Sequence, residues 1–228
     1  MSFTDQLKFN LLENSRWQFI VTGLKNTLIV SLFAVLIGIA LGFIIAVIRS
    51  THDKSGKFKI LNFICQVYLT VIRGTPAMVQ LLIVYYVIFA SVNIDKVLVA
   101  VIAFGLNSAA YVAEIIRSGI MSIEEGQTEA GRSLGLSFTQ TLWLIVLPQA
   151  LKNVLPALGN EFIVLLKETS ISGYIGLMDL TRGGDIIRSQ TYQALFPLLM
   201  VAVIYLCIVC LLSYLVGRLE RRLRVSER

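Results

Sequence analysis

From Thr27 to Ile48 the chain runs 22 residues without a charged side chain. A helix needs about 20 apolar residues to cross a hydrocarbon core, so this run is long enough to be a membrane span. It is too long for the apolar region of a cleavable signal, about 7 to 15 residues, and a retained span is expected. Gly38 and Gly42 stand four residues apart within it and offer a face for close helix packing. Composition agrees: 56% of the 228 residues are hydrophobic, mean hydropathy is +0.78, and 15% are charged, where soluble domains carry about a quarter.

Four more spans follow. Arg49, His52, Asp53, Lys54, Lys57 and Lys59 make a basic loop, which the positive-inside rule places in the cytoplasm, leaving the N-terminus outside. Residues 1–21 mix Lys8, Glu13 and Arg16 with Phe9, Leu11, Leu12, Trp17 and Phe19 and read as an interfacial amphipathic helix. Ile60 to Ile72 is short for a span and is expected at the interface, leading through Arg73-Gly74-Thr75-Pro76 into span two, from Thr75 to about Ile94. Span three covers roughly Val97 to Ile116, and span four begins near Leu151 and ends about Leu166. An external segment from about Lys167 to Tyr192 follows, and its Gly173, Gly176, Gly183 and Gly184 predict turns. Span five lies within the charge-free stretch Ser189 to Gly217, before the basic tail 218–228 with Arg218, Arg221, Arg222, Arg224 and Arg228. That tail puts the C-terminus in the cytoplasm, as five crossings require. The expected fold is all-α: a polytopic membrane protein of about five transmembrane helices, with its membrane domain over residues 22–217.

The net charge of +6 does not form one stripe; the basic residues flank apolar runs, which points to membrane orientation and away from nucleic acid. Cys65, Cys207 and Cys210 lie in apolar segments without histidines to complete a metal site, and Cys207 and Cys210 read as small packing residues. His52 reads as solvated. No phosphate-binding loop of the type G-x-x-x-x-G-K-[ST] occurs, so any ATP must be bound by another chain, and no hydrolase motif is present. The chain is expected to bind no cofactor and catalyse nothing itself.

The segment 121–150 separates spans three and four on the cytoplasmic side. Ser122 and Glu125 have the spacing of a capping box and predict a short helix through Glu129, Ala130 and Arg132, with Gly135 to end it. Ser137 and Gln140 repeat the pattern. Ala130, Gly131 and Ser133 leave a small knob that a partner's groove could admit. The spacing resembles the signature of permease subunits of binding-protein-dependent ABC importers: Glu-Ala-Ala, three residues, Gly, nine residues, Ile, any residue, Leu-Pro. Glu129, Ala130, Gly135, Ile145, Leu147 and Pro148 match, and Gly131 stands for the second Ala. The resemblance implies the type I importer permease fold. It also implies that Glu129, Ala130, Gly131, Arg132, Ser133, Leu134 and Gly135 form a coupling helix, which takes up the ATP-driven closure of nucleotide-binding subunits.

Polar residues at membrane depth are costly, so those retained are candidates for the solute path. On span three, Asn107, Tyr111 and Glu114 fall on one helical stripe. On span four, Asn160 and Glu161 interrupt an apolar helix, and Glu161 shares its face with Ala157 and Val164. Span two contributes Thr75 and Gln80. Pairing of Glu161 with Arg73 or Lys167 is the structural alternative to solute binding. Arg73-Gly74-Thr75-Pro76, Ala110 to Ile115, Gly126 to Ala130, Leu158 to Phe162 and Lys167 to Ser170 resemble the polar amino acid uptake branch of the importers. That resemblance implies a dimer of five-helix subunits in the bacterial cytoplasmic membrane. It further implies two cytoplasmic ATPase subunits holding ATP and Mg, and an extracytoplasmic binding protein that delivers an amino acid. The second permease could be an identical or a related chain. A carboxylate at Glu161 favours a cationic amino acid; glutamine, cystine or another polar amino acid is the alternative. A passive channel and a membrane scaffold are readings from other classes. The capped segment argues against the first, and Asn107, Asn160 and Glu161 argue against the second.

Overall fold

Within hydrocarbon no water is available to the peptide groups, so a crossing segment must satisfy its backbone internally, and helices do so. The computed structural model describes residues 3–225, and among them every regular element is helical. Among the described residues four helical runs are long and apolar enough to cross a membrane, and a bent pair passes the same test together, as a broken span or a re-entrant loop.

The described part of the N-terminal segment is not one helix, as residues 1–21 lead one to expect. Helix α1 (Phe3–Leu7) continues into a wide turn at Lys8–Leu12, and Asn14 and Ser15, at φ 52° and 54°, break the direction. Asparagine tolerates this left-handed conformation better than most residues. The segment is pinned to a later part of the chain: the Asn10 side-chain amide donates to Gln193 Oε1 at 2.9 Å, and Arg16 Nε donates to Gln190 Oε1 at 3.2 Å. Helix α2 (Trp17–Ser55) therefore starts before residue 22.

Further on, α5 (Lys96–Met121) is N-capped by Asp95, whose Oδ1 accepts the Val97 amide at 2.7 Å. It packs parallel to α2, since Gly38 meets Ser108 and, one turn later, Gly42 meets Val112. A Cβ on Gly38 would lie 2.7 Å from Ser108 Oγ, and one on Gly42 2.7 Å from Val112 Cγ1 and 2.9 Å from the Ala109 carbonyl oxygen. The expected close-packing face is thus occupied by α5. Overfilling such a contact costs about 1–3 kcal/mol. Gly42→Val is expected to destabilise the detergent-solubilised chain by that amount, read as a lowered unfolding midpoint. Gly217→Ala, with nothing within 4 Å of its new Cβ, should leave the midpoint unchanged or raise it slightly; equal behaviour of the two variants would count against tight packing here.

Helices α3 (Lys59–Gly74) and α4 (Ala77–Ile83, continued by a wide turn at Val84–Ile88) meet at 110°. Pro76 forces Thr75 into extended backbone, φ −125° and ψ 148°, which ends α3. The Gln80 side-chain amide then donates to the carbonyls of Ile72 (2.7 Å) and Thr75 (3.0 Å) and to Thr75 Oγ1 (2.8 Å), filling acceptors that the break leaves open. The arm after the break ends at Ile88 and not near Ile94, covering about 18 Å at 1.5 Å per residue. The expected interfacial helix and span two therefore form one bent pair, a broken span or a re-entrant loop.

Two short helices follow, α6 (Glu125–Ser133) and α7 (Phe138–Thr141), then α8 (Leu147–Glu168) after a wide turn at Leu142–Val146. The helical run that contains span four thus extends from Phe138 to Ile175, well beyond Leu151–Leu166 at both ends. The segment expected as turns is mostly helical, with a tight helix at Thr169–Ile175 and α9 (Leu180–Thr191). Gly176, at φ 73°, does make a turn, but Gly183 and Gly184 lie inside α9. There they allow close approach to the Phe19 carbonyl and to Val201. Asp179 caps α9, accepting the Arg182 amide at 2.8 Å, and burial pushes its carboxyl up to about 6 against the opposing pull of nearby amides. The last helix, α10 (Leu195–Val225), carries Cys207 and Cys210 exposed, so neither packs within this chain as expected. Arg228 lies outside the described residues. The His52 ring bonds the Lys57 carbonyl oxygen at 2.9 Å, which closes the basic loop.

Candidate functional site

Helices α5 and α8 run antiparallel: Gly119 packs on Val154 and Ala150, and nearer the middle Ser108 Oγ donates to Glu161 Oε1 at 2.9 Å. Ser108 is fully buried and Glu161 is half-buried, so the carboxylate is held by a hydroxyl fixed between helices. Among the described residues Glu161 has no cationic partner: Arg73 turns to Glu114 instead, and Lys167 is exposed. In this register Tyr111 and Ala157 stand one turn from the Ser108–Glu161 contact toward the coupling segment. Val164 stands one turn the other way. Tyr111, Asn160 and Val164 are exposed, and Ala157 is half-buried. Tyr111 and Asn160 are thus exposed polar residues that lie within about one turn of the Ser108–Glu161 contact along their helices.

The stripe of Asn107, Tyr111 and Glu114 does not act as one face. Asn107 is 3% exposed and donates to Gln80 Oε1 at 2.9 Å, so it ties α5 to the broken span. Thr75 is exposed, but its hydroxyl donates back to the Val71 carbonyl at 2.8 Å and accepts from Gln80. Both residues shape the elbow and neither reaches Glu161 by a bond. Glu114 lies among three arginines, with Arg49 Nη1 at 3.6 Å, Arg73 Nη1 at 3.4 Å and Arg117 Nε at 3.7 Å. Arg117 Nη1 also meets Asp53 Oδ2 at 3.0 Å. This network joins α2, α3 and α5 at one end of the bundle. Sequence reading missed it, and missed Ser108; the one signal was that Arg49 and Glu114 both stand near the ends of their apolar runs.

At the same end, α6 presents Glu129, Ala130, Arg132 and Ser133 to solvent, and Leu134 beyond it is 82% exposed. Gly131 alone faces inward: a Cβ there would come within 2.7 Å of Thr141 Cγ2 and 2.8 Å of Ile145 Cδ1. That crowding gives a reason for Gly where the signature has Ala. Gly135, at φ 84°, ends the helix as expected, and the amides of Gly135 and Leu136 bond back to Arg132 and Gly131 at 3.0 and 3.2 Å. Ser137 and Gln140 form the reciprocal capping box. Ser122 does not form one. It ends α5, donating to the Gly119 carbonyl at 2.8 Å and accepting from Asn153 at 2.9 Å, while α6 starts at Glu125 without a side-chain cap. The segment is therefore tied to α8 through Asn153, and through Gln149, which donates to Gln127 Oε1 at 3.3 Å. A cavity of about 240 Å³, lined by Asp53, Arg117, Glu125 and Thr128 among others, lies between α6 and the ion network.

Residues 38–225 fit the family model described as "Binding-protein-dependent transport system inner membrane component". The chain belongs to this family. The permease is 39% identical over 209 residues to the glutamine transport system permease protein GlnP of Escherichia coli K12, covering 90% of this chain and 93% of that one. It is 38% identical over 211 residues to the arginine transport system permease protein ArtQ of Bacillus subtilis 168, covering 92% and 94%. A solved structure titled "Crystal structure of an amino acid ABC transporter with histidines" superposes with a TM-score of 0.86 at 40% identity, covering 97% of this chain and 99% of that one. The inward-facing MetNI methionine ABC transporter, at 20% identity and TM-score 0.78 over 91% and 97%, shares the fold. The permease is thus a multi-pass membrane subunit of the polar amino acid ABC importers, with the type I fold.

Proposed function

We propose that this permease forms the path for a cationic amino acid, arginine, lysine or histidine, across the bacterial cytoplasmic membrane. The observation that carries the reading is the Glu161 carboxylate, set on Ser108 between two apolar helices with no cation among the described residues paired with it. A carboxylate in low dielectric without a counter-charge is costly, and a cationic solute supplies that charge on arrival. Asn160, Tyr111, Ala157 and Val164 line the approach, while Thr75 and Asn107 hold the elbow that shapes it.

Two copies, identical or related, would enclose the path between them, because the open polar surface of one chain cannot face lipid without large cost. The coupling segment 121–150 would dock on two ATPase subunits that hold ATP and Mg, and a binding protein would deliver solute on the opposite face. ATP binding and hydrolysis would then drive alternating access, each state exposing Glu161 to one side. Glutamine is the second reading, favoured by the 39% identity to a glutamine permease. Uptake of arginine and of glutamine by proteoliposomes holding the complete transporter separates the two. Arginine is expected to be preferred; equal or better uptake of glutamine would select the second reading.

A further inference from the structure

The exposed face of α10 changes character at Arg218. At 100° per residue, Leu211, Tyr214 and Leu215 fall within the same arc of about 120° as Arg218, Arg221 and Arg222, and Glu220 falls on the opposite side. Leu211, Tyr214 and Leu215 are exposed, as are the three arginines. No carboxylate among the described residues pairs with Arg218, Arg221 or Arg222. The Arg218 guanidinium lies 5.9 Å from the Tyr214 ring centroid, which holds it at the level where the apolar face ends. Leu215, Arg218, Leu219 and Arg222 line a cleft of about 260 Å³.

An apolar helix face that turns cationic about two turns before the helix ends at Val225 matches the order of groups in an anionic phospholipid, acyl chain first and phosphate next. We infer that the last turns of α10 bind such a lipid, its phosphate among Arg218, Arg221 and Arg222 and an acyl chain along Leu211, Leu215 and Leu219. Neutral phospholipids carry an ammonium over the phosphate and satisfy the arginines less well. The site depends on α10 being a span and not on which amino acid is carried, so failure here leaves the solute reading intact.

Native mass spectrometry of the full chain in detergent, titrated with phosphatidylglycerol or with phosphatidylcholine of the same acyl chains, tests it. Phosphatidylglycerol should bind more tightly. The triple variant Arg218→Gln, Arg221→Gln, Arg222→Gln should weaken its binding on the order of a hundredfold, at about fivefold per arginine. Arg222→Gln alone, should the triple variant not fold, should cost about fivefold. Lys57→Gln with Lys59→Gln, in the other basic region, should change nothing. Equal binding of the two lipids, or a preference retained in the glutamine variants, overturns the site. So does competition by free glycerol phosphate at the concentrations where the lipid binds, which would mark a simple anion site. Disulfide cross-linking of two Leu215→Cys chains in phosphatidylglycerol membranes would show a second copy on this face and equally overturn it.

Discussion

Glu161→Gln is expected to shrink the preference for arginine over glutamine by roughly 30-fold, with glutamine uptake changed little. Removing one partner of a desolvated charge pair costs about 2–5 kcal/mol, and the low end applies because Glu161 is only half-buried. About 2 kcal/mol corresponds to the stated ratio. Glutamine is the informative replacement, since its side-chain oxygen can still accept the Ser108 hydroxyl that now reaches Glu161 Oε1 at 2.9 Å. The packing of α5 against α8 is then kept and only the charge is removed. Competitive uptake of the two labelled amino acids by proteoliposomes, and stimulation of ATP hydrolysis by each, give the ratio. An arginine preference that survives the substitution would take Glu161 out of the solute path, whatever happens to the overall rate.

The spans were legible because hydrocarbon imposes a length and a polarity that sequence cannot disguise; Thr27 to Ile48 is the plainest case. The end of α6 at Gly135 and the Ser137–Gln140 cap were legible for the same kind of reason, since each depends on a few adjacent residues. What was not legible depended on partners far along the chain. Ser122 has the spacing of a cap, yet Asn153, 31 residues on, and the Gly119 carbonyl claim its hydroxyl. Asn107 and Glu114 share a stripe by periodicity, but the bent pair brings Gln80 to one and Arg73 to the other. The passage from the interfacial helix into span two was legible at Arg73-Gly74-Thr75-Pro76, but the 110° bend there, at which Gln80 fills the carbonyls of Ile72 and Thr75, was not. Glycines 183 and 184 read as turn formers because their other use, close approach to α2 and α10, is invisible without the neighbours.

Leu134→Asp is expected to abolish ATP-driven uptake while leaving the membrane domain folded. Leu134 is 82% exposed at the tip of α6, and the Gly135 and Leu136 amides that close the helix there do not use its side chain. Its substitution therefore removes no internal contact. In the docking proposed above, this exposed leucine between Ser133 and a left-handed glycine would enter an apolar pocket of the ATPase subunit. Fully burying a leucine side chain contributes about 1.5–3 kcal/mol, roughly tenfold or more in affinity, and an unpaired carboxylate in the pocket adds to the loss. The proposed dimer would present the residue twice, so the defects would compound. Co-purification of the ATPase subunits with the tagged permease, beside uptake, separates lost docking from lost folding, and a near-native thermal midpoint for the isolated variant completes the control. Glu129→Lys, on the same open face, should weaken docking less, because a rim charge acts mainly on association rate and salt dependence. Motion has a route from this tip into the bundle: α6 is bonded to α8 through Gln127 and Gln149, and α8 carries Glu161. If the aspartate variant still retains its ATPase subunits and still transports, force must enter by some other surface, and the 121–150 segment is then only a connection between spans.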